Sequence, residues 1–83
     1  MQAIALEAIE PGDLVFFGVD KATHVGMYLG ERQYIHSSGQ EHGNDGIAID
    51  SLSGGNRVSD WYAQQLRGAG RVTNCLRLSL VIG

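Results

Sequence analysis

The alternation of side chains in residues 23–39, "THVGMYLGERQYIHSSG", constrains the fold more than any other feature of the sequence. The odd positions are mostly apolar: Val25, Met27, Leu29 and Ile35. The even positions carry both histidines and two tyrosines: His24, Tyr28, Tyr34 and His36. Because successive side chains of a strand point to opposite faces, the pattern predicts a β-hairpin. We expect its odd face to lie in the core and its even face to carry the two histidines outside it.

Short elements joined by glycine turns are predicted for the rest of the chain, which has 12 glycines and one proline. Three further strands are expected, at 14–17 (buried on both faces), 47–52 and 71–83. Helical segments are expected at 2–10, ending before Pro11, and over 61–66, where Ser59 or Asp60 is suited to cap the helix. With 83 residues, the chain has room for one small domain, 1–83. The sequence therefore predicts an α+β fold: a mostly antiparallel sheet of about five strands with a short helix.

The composition argues against several functional classes. The net charge is −3 and no basic stripe is present, so nucleic acid is not an expected partner. No apolar run reaches the ~18–20 residues that span a bilayer. The glycine-rich stretches contain neither a P-loop lysine nor a dinucleotide fingerprint, and we expect no cofactor. A single cysteine, Cys75, excludes an internal disulfide framework.

His24 and His36 are the candidate functional residues, and they lie twelve positions apart (36 − 24). Histidine suits proton transfer because its ordinary pKa lies near neutrality, and a catalytic histidine usually needs a partner that fixes its orientation. A three-residue connection, 29–31, places His24 directly opposite His36, within reach of a ring-to-ring hydrogen bond. The alternation therefore predicts that both histidines lie on the same face of one hairpin. A metal site is not expected, since these two and His42 lack compact ligand spacing.

Four blocks of the sequence, in order, resemble a known family. They are "PGDLVFFG", "THVGMYLG", "YIHSSG" and "GIAIDSL", and they are similar to the C-terminal part of NlpC-type, papain-like bacterial cell-wall cysteine peptidases. The resemblance covers about residues 10–72. The "IHSSG" block and "DWYAQQLRGAGRV" look most like the subgroup that cleaves the γ-D-glutamyl to diamino-acid bond of peptidoglycan stem peptides.

The resemblance implies roles for both histidines, with His24 as general base and His36 as the group that orients it. It also implies a cysteine nucleophile in a block resembling "D-C-S-G" before the Pro-Gly-Asp turn, and these 83 residues contain no such block. The resemblance thus implies part of a peptidase domain, inactive alone, with a stem peptide as the substrate of the parent enzyme. A homodimer or domain swap is expected through the face left by a missing helix. The implied location is the cell envelope or the exterior, with cytoplasmic peptidoglycan recycling as the alternative.

Two other readings of the sequence remain open. One is a permuted enzyme similar to lecithin retinol acyltransferase, in which Cys75 follows both histidines and acts as the nucleophile. Against it, Leu76, Leu78 and Leu80 alternate as in a strand, and a lone cysteine is more commonly an inert thiol. The other reading is a non-catalytic module that binds the cell wall or a partner protein.

Overall fold

A six-stranded antiparallel sheet forms the body of the protein in a computed structural model that describes residues 1–39 and 45–72. The strands are β1 (Gln2–Ile4), β2 (Leu14–Phe17), β3 (His24–Gly30), β4 (Gln33–Ser38), β5 (Gly46–Ser51) and β6 (Leu66–Arg71). A 3-10 helix (Leu6–Ala8) follows β1, and one α-helix, α1 (Arg57–Ala63), precedes β6. The strands lie in the order β1-β6-β2-β3-β4-β5. The α+β fold with a mostly antiparallel sheet and a short helix is confirmed.

The strand at the chain start corrects one sequence expectation. Residues 2–10 were expected to be helical, but Gln2–Ile4 pairs with β6 and only Leu6–Ala8 turns helically. Pairing overrides a weak helix propensity here because it gives the backbone groups of both strands their partners. β6 begins at the last residue of the helix expected over 61–66 and ends at the first residue of the strand expected at 71–83. Most of the strand expected at 71–83, including Cys75, lies outside the described residues, as does His42.

The hairpin β3–β4 has the reverse of the predicted burial. Residues Val25, Met27 and Leu29 are 46%, 45% and 41% exposed, whereas Tyr28 and Tyr34 belong to the core. The prediction that the odd face is buried is therefore wrong. The prediction failed because it counted tyrosine as a polar residue. The tyrosine ring buries a large apolar area, and only its hydroxyl group is polar.

The core is built around the rings of the even face. Its buried apolar members are Val15, Phe17, Tyr28, Tyr34, Leu52, Val58, Tyr62 and Ala69. In β2, Val15 and Phe17 are buried while Leu14 and Phe16 are half-buried, so the strand is not buried equally on both faces as predicted. Helix α1 contributes Val58 and Tyr62 from one side, which places the helix against the face that carries the histidines.

The N-cap of α1 lies a few residues earlier in the chain than expected. Asn56, rather than Ser59 or Asp60, is the N-cap, and its side chain accepts a hydrogen bond from the backbone N–H of Ser59 at 2.9 Å. Asparagine is among the best N-cap residues because its oxygen satisfies an otherwise unpaired amide. The cap leaves the hydroxyl of Ser59 free to point into the core.

A partly buried ion pair joins Asp13, the residue before β2, to Arg71 at the end of β6. Arg71 donates to both carboxylate oxygens of Asp13, from Nε and from one terminal nitrogen, each at 2.8 Å. The Arg71 guanidinium is the main reason that the pKa of Asp13 lies below its usual value, and the backbone N–H of Glu10 adds to the effect. The bidentate geometry ties the neighbouring strands β2 and β6 together close to the turn at Pro11 and Gly12.

Candidate active site

The two histidines meet on the inner face of the hairpin. The Nε2 atom of His24 lies 2.7 Å from Nδ1 of His36, a hydrogen-bond distance, and the two rings stand edge to face at 84°. The prediction that they share one face of the hairpin is confirmed.

The register that brings the histidines together differs from the one predicted. The turn contains only Glu31 and Arg32, both with positive φ, and a bulge follows Tyr28. Tyr28 therefore pairs with Tyr34, and extending this register places Gly26, rather than His24, beside His36. The two histidines are diagonal neighbours across the strands, a spacing that long aromatic side chains can still bridge.

Gly26 permits this diagonal contact. A Cβ atom at that position would lie 2.7 Å from Cδ2 of Tyr34 and 3.3 Å from Cβ of His36. Real Cβ atoms do not approach other carbon atoms so closely, so a larger residue would push the β4 rings away from the strand. The absence of a side chain at this position leaves room for His36 to lean toward His24.

Two aromatic rings enclose His24. Tyr62 from α1 stacks on it, with ring centroids 4.4 Å apart and an interplanar angle of 21°, and Phe17 lies 5.8 Å away on the neighbouring strand. Burial is the main cause that lowers the pKa of His24 below its ordinary value of 6.5, and the nearby His36 lowers it further. The site therefore favours the neutral imidazole, the form that accepts a proton.

His24 also borders an open pocket of about 250 Å³. Its other lining residues are Phe16 of β2 and Val25 of β3, which pair on the face opposite to the histidine rings, and Ala22 and Thr23 of the segment before β3. His36, in contrast, is only 5% exposed. The pair thus has one half-buried member, His24, and one almost fully buried member, His36.

Asp50 is a site residue that the sequence reasoning missed. Its Oδ2 atom lies 2.7 Å from Nε2 of His36, and its Oδ1 atom accepts a hydrogen bond from the Ser59 hydroxyl at 2.9 Å. Asp50 pairs with Tyr34 across β4 and β5, so it too reaches His36 along a diagonal. A signal was present in the sequence, because aspartate is disfavoured inside a strand and "IAIDSL" places one there.

A model of the NlpC/P60 family matches residues 1–67 of the sequence. The chain belongs to the NlpC/P60 family. Domains of this family are generally cell-wall peptidase-like, and the expected family resemblance is confirmed. A comparison with curated proteins found no match.

Solved structures of NlpC/P60 proteins have the same arrangement of strands. A family protein from Bacillus cereus is 30% identical, with a TM-score of 0.64 over 84% of this chain. An NLP/P60 family protein from Staphylococcus aureus, described as similar to a lipoprotein, is 32% identical, with a TM-score of 0.64 over 86% of this chain. In both cases the match spans 22% of the larger protein.

The described residues contain no other obvious centre of chemistry. Within 1–39 and 45–72, no three histidine, cysteine, aspartate or glutamate side chains are grouped so as to hold a metal ion. In the same ranges no helix has the length and apolar character that a bilayer crossing requires.

Proposed function

We propose that this chain is the C-terminal part of a cysteine endopeptidase domain that hydrolyses peptidoglycan stem peptides. The proposed bond is the one between γ-D-glutamate and the diamino acid. His24 acts as the general base and His36 orients it. The observation that carries the proposal is the 2.7 Å contact between Nε2 of His24 and Nδ1 of His36, in a chain of the NlpC/P60 family.

The contact suits the chemistry of a thiol nucleophile. A neutral His24 takes the proton from a cysteine thiol, and the resulting thiolate is stabilised beside the imidazolium. The thiolate attacks the amide carbonyl carbon, and His24 then returns the proton to the amine that leaves as the thioester forms. Water attacks the thioester in the second half of the reaction, again with His24 taking the proton, and the thiol is released.

The nucleophile is the part of this mechanism that the sequence does not contain in its expected place. Cys75 is the only cysteine, and no "D-C-S-G"-like block precedes the turn at Pro11. We therefore propose that the nucleophile belongs to a different segment and that this chain alone is inactive. Removing the nucleophile from such a catalytic unit leaves binding and little chemistry.

An assay of the chain alone separates this proposal from the permuted enzyme. The substrate is the tripeptide L-alanyl-γ-D-glutamyl-diaminopimelate, and release of free diaminopimelate is measured. We expect no turnover above the buffer rate. Turnover that disappears in Cys75→Ser would instead assign the reaction to Cys75 and reject the proposed division of roles.

A segment exchange tests the proposed roles in the presence of a nucleophile. The matching segment of the Bacillus cereus family protein is replaced with residues 1–72 of this chain, and the unaltered protein serves as the positive control. We expect the exchanged protein to cleave the tripeptide, and the His24→Ala variant to lose cleavage. A folded exchanged protein that fails to cleave, while the unaltered protein does cleave, contradicts the proposed function; so does cleavage that persists in His24→Ala. If the exchanged protein and its His24→Ala variant both bind the tripeptide and neither cleaves it, the result favours the non-catalytic module.

We also propose that the isolated chain self-associates, through the outer face of the sheet rather than through the face left by a missing helix that the resemblance implied. An apolar row on the outer face of the sheet supports this proposal; its exposed members are Val25, Met27, Leu29, Ile47 and Ile49. Because strand side chains alternate, this row lies on the face opposite to the histidines. A second copy of the chain is the proposed partner, and its test is given in the Discussion.

A further inference from the structure

The hydrogen-bonded chain of groups at the site does not end at His36. It continues to Asp50, which is 6% exposed, and from Asp50 to Ser59, which is fully buried. A carboxylate withdrawn from water is costly unless its oxygens accept hydrogen bonds. Here Oδ2 faces the ring of His36 and Oδ1 faces the hydroxyl of Ser59, so both oxygens have a donor.

The direction of each hydrogen bond follows from what each group is able to donate. The Ser59 oxygen already accepts from the backbone N–H of Ser51 at 3.0 Å, so its own proton is directed to Asp50. A carboxylate accepts only, so the nitrogen of His36 that faces it, Nε2, carries a proton. In a neutral ring the other nitrogen, Nδ1, is then an acceptor.

The same reasoning extends to His24. Since Nδ1 of His36 accepts, the nitrogen opposite it, Nε2 of His24, must be the donor. A neutral His24 therefore has its lone pair on Nδ1. The buried carboxylate of Asp50 is separated from His24 by the ring of His36. Through that ring it determines which nitrogen of His24 has the lone pair that takes up a proton.

We propose that Asp50 is a positioning residue that fixes the tautomers of both histidines. This inference rests on the proposed function, because the selected tautomer matters only if His24 acts as a base. It adds to that function a residue on β5 that neither accepts nor donates the transferred proton. Asp50 acts entirely through the ring of His36.

The tautomers are measured directly in the chain as it is. Long-range ¹H–¹⁵N spectra of the imidazole rings, recorded at about pH 8 where histidine is ordinarily neutral, report which nitrogen carries the proton. We expect the proton on Nε2 in both His24 and His36. A proton on Nδ1 of either ring in the wild-type chain overturns the proposal, and this result needs no variant.

Two variants show whether the carboxylate is the cause. Asp50→Leu keeps a side chain of similar size but removes the acceptor, and we expect His36 to populate both tautomers. Ser59→Ala, the matched control, removes the neighbouring hydroxyl but leaves the carboxylate, and we expect the wild-type tautomers. A folded Asp50→Leu that keeps the wild-type pattern refutes the proposal, as does an equal change in both variants.

Kinetics in the exchanged protein separate the failure of this inference from the failure of the function. We expect Asp50→Leu to lower kcat about 10–100-fold with KM unchanged, as substitutions behind a directly acting histidine typically do. If the exchanged protein carrying the wild-type chain is inactive, the proposed function fails while the tautomer result still stands. If the exchanged protein is active and Asp50→Leu is equally active, the function stands and the role of Asp50 is rejected.

Discussion

His24 combines partial burial, a stacked aromatic neighbour and a hydrogen bond to a second histidine. Stacking on Tyr62 removes water from one face of the ring, and the contact with His36 fixes its orientation. Both burial and the neighbouring imidazole disfavour a positive charge on His24. The neutral form of His24, with a nitrogen lone pair, is therefore favoured near neutral pH, before any nucleophile is placed beside it.

The pKa of His24 has a consequence for stability that is directly measurable. The folded-state pKa lies below 6.5, the ordinary value that applies to the unfolded chain, so the unfolded state binds more protons as the pH falls. The stabilisation is therefore complete above about pH 6.5 and is lost as the pH falls through the folded-state pKa. We expect an NMR titration midpoint for His24 below 6.5, and a free energy of unfolding that decreases over this range. His24→Gln should reduce that decrease; an unchanged profile together with a midpoint at or above 6.5 would reject the assignment.

The hairpin β3–β4 shows how far the sequence alone was able to predict the site. Alternation predicted that both histidines lie on one face of adjacent strands. The prediction needed only the fact that both residues occupy even positions in the sequence. The register could not be read in the same way, since it depends on the turn at Glu31 and Arg32 and on a bulge that has no clear sequence signal. The buried face was also wrongly assigned, because it was decided by counting polar labels rather than ring area.

Asp50 was missed for a related reason. A three-strand contact requires two registers at once, those of β3 with β4 and of β4 with β5. Neither was known from the sequence, so no spacing rule connected residue 50 to residue 36. The helix cap at Asn56 was misplaced by only a few residues, which is the usual uncertainty of a helix boundary.

Gly26 provides a test at the level of the hairpin. We expect Gly26→Ala to lower the free energy of unfolding by about 1–3 kcal/mol, because the added methyl group overlaps the ring of Tyr34 and crowds Cβ of His36. Gly68→Ala is the matched control, since a Cβ atom there meets nothing within 4 Å, and it should change stability by less than about 0.5 kcal/mol. Urea unfolding of the two variants measures the difference. Equal effects at both positions would show that close packing at Gly26 is not what joins the histidines.

At the scale of the whole molecule, the sheet has two very different faces. The inner face carries the buried rings and the hydrogen-bonded histidines, while the outer face presents a row of exposed apolar side chains. In that row Met27 pairs with Ile35, and Ile35 pairs with Ile49, so the apolar groups are contiguous across three strands. Contiguous exposed apolar surface is typical of a site where another protein surface docks.

The outer face predicts self-association of the isolated chain. At about 0.1–1 mM, where exposed apolar surface commonly drives association, we expect sedimentation equilibrium to give a mass above the 8.9 kDa of one chain. The double variant Met27→Lys/Ile49→Lys should restore the mass of the monomer. Val19→Lys, at a site that is 79% exposed and outside the row, should not. A wild-type chain that stays monomeric over this range contradicts the proposed contact.

The most direct test of the central claim, that His24 is the base and His36 its orienting partner, compares two substitutions in the exchanged protein. The quantity measured is kcat for the γ-D-glutamyl tripeptide in His24→Asn and in His36→Asn. Asparagine cannot take up the proton, but it does serve as the orienting residue in papain-like Cys-His-Asn triads. We therefore expect His24→Asn to lower kcat about 10⁴-fold or more, and His36→Asn to lower it only about 10–100-fold. Wild-type kcat in His24→Asn, or the larger loss in His36→Asn, would contradict the assignment.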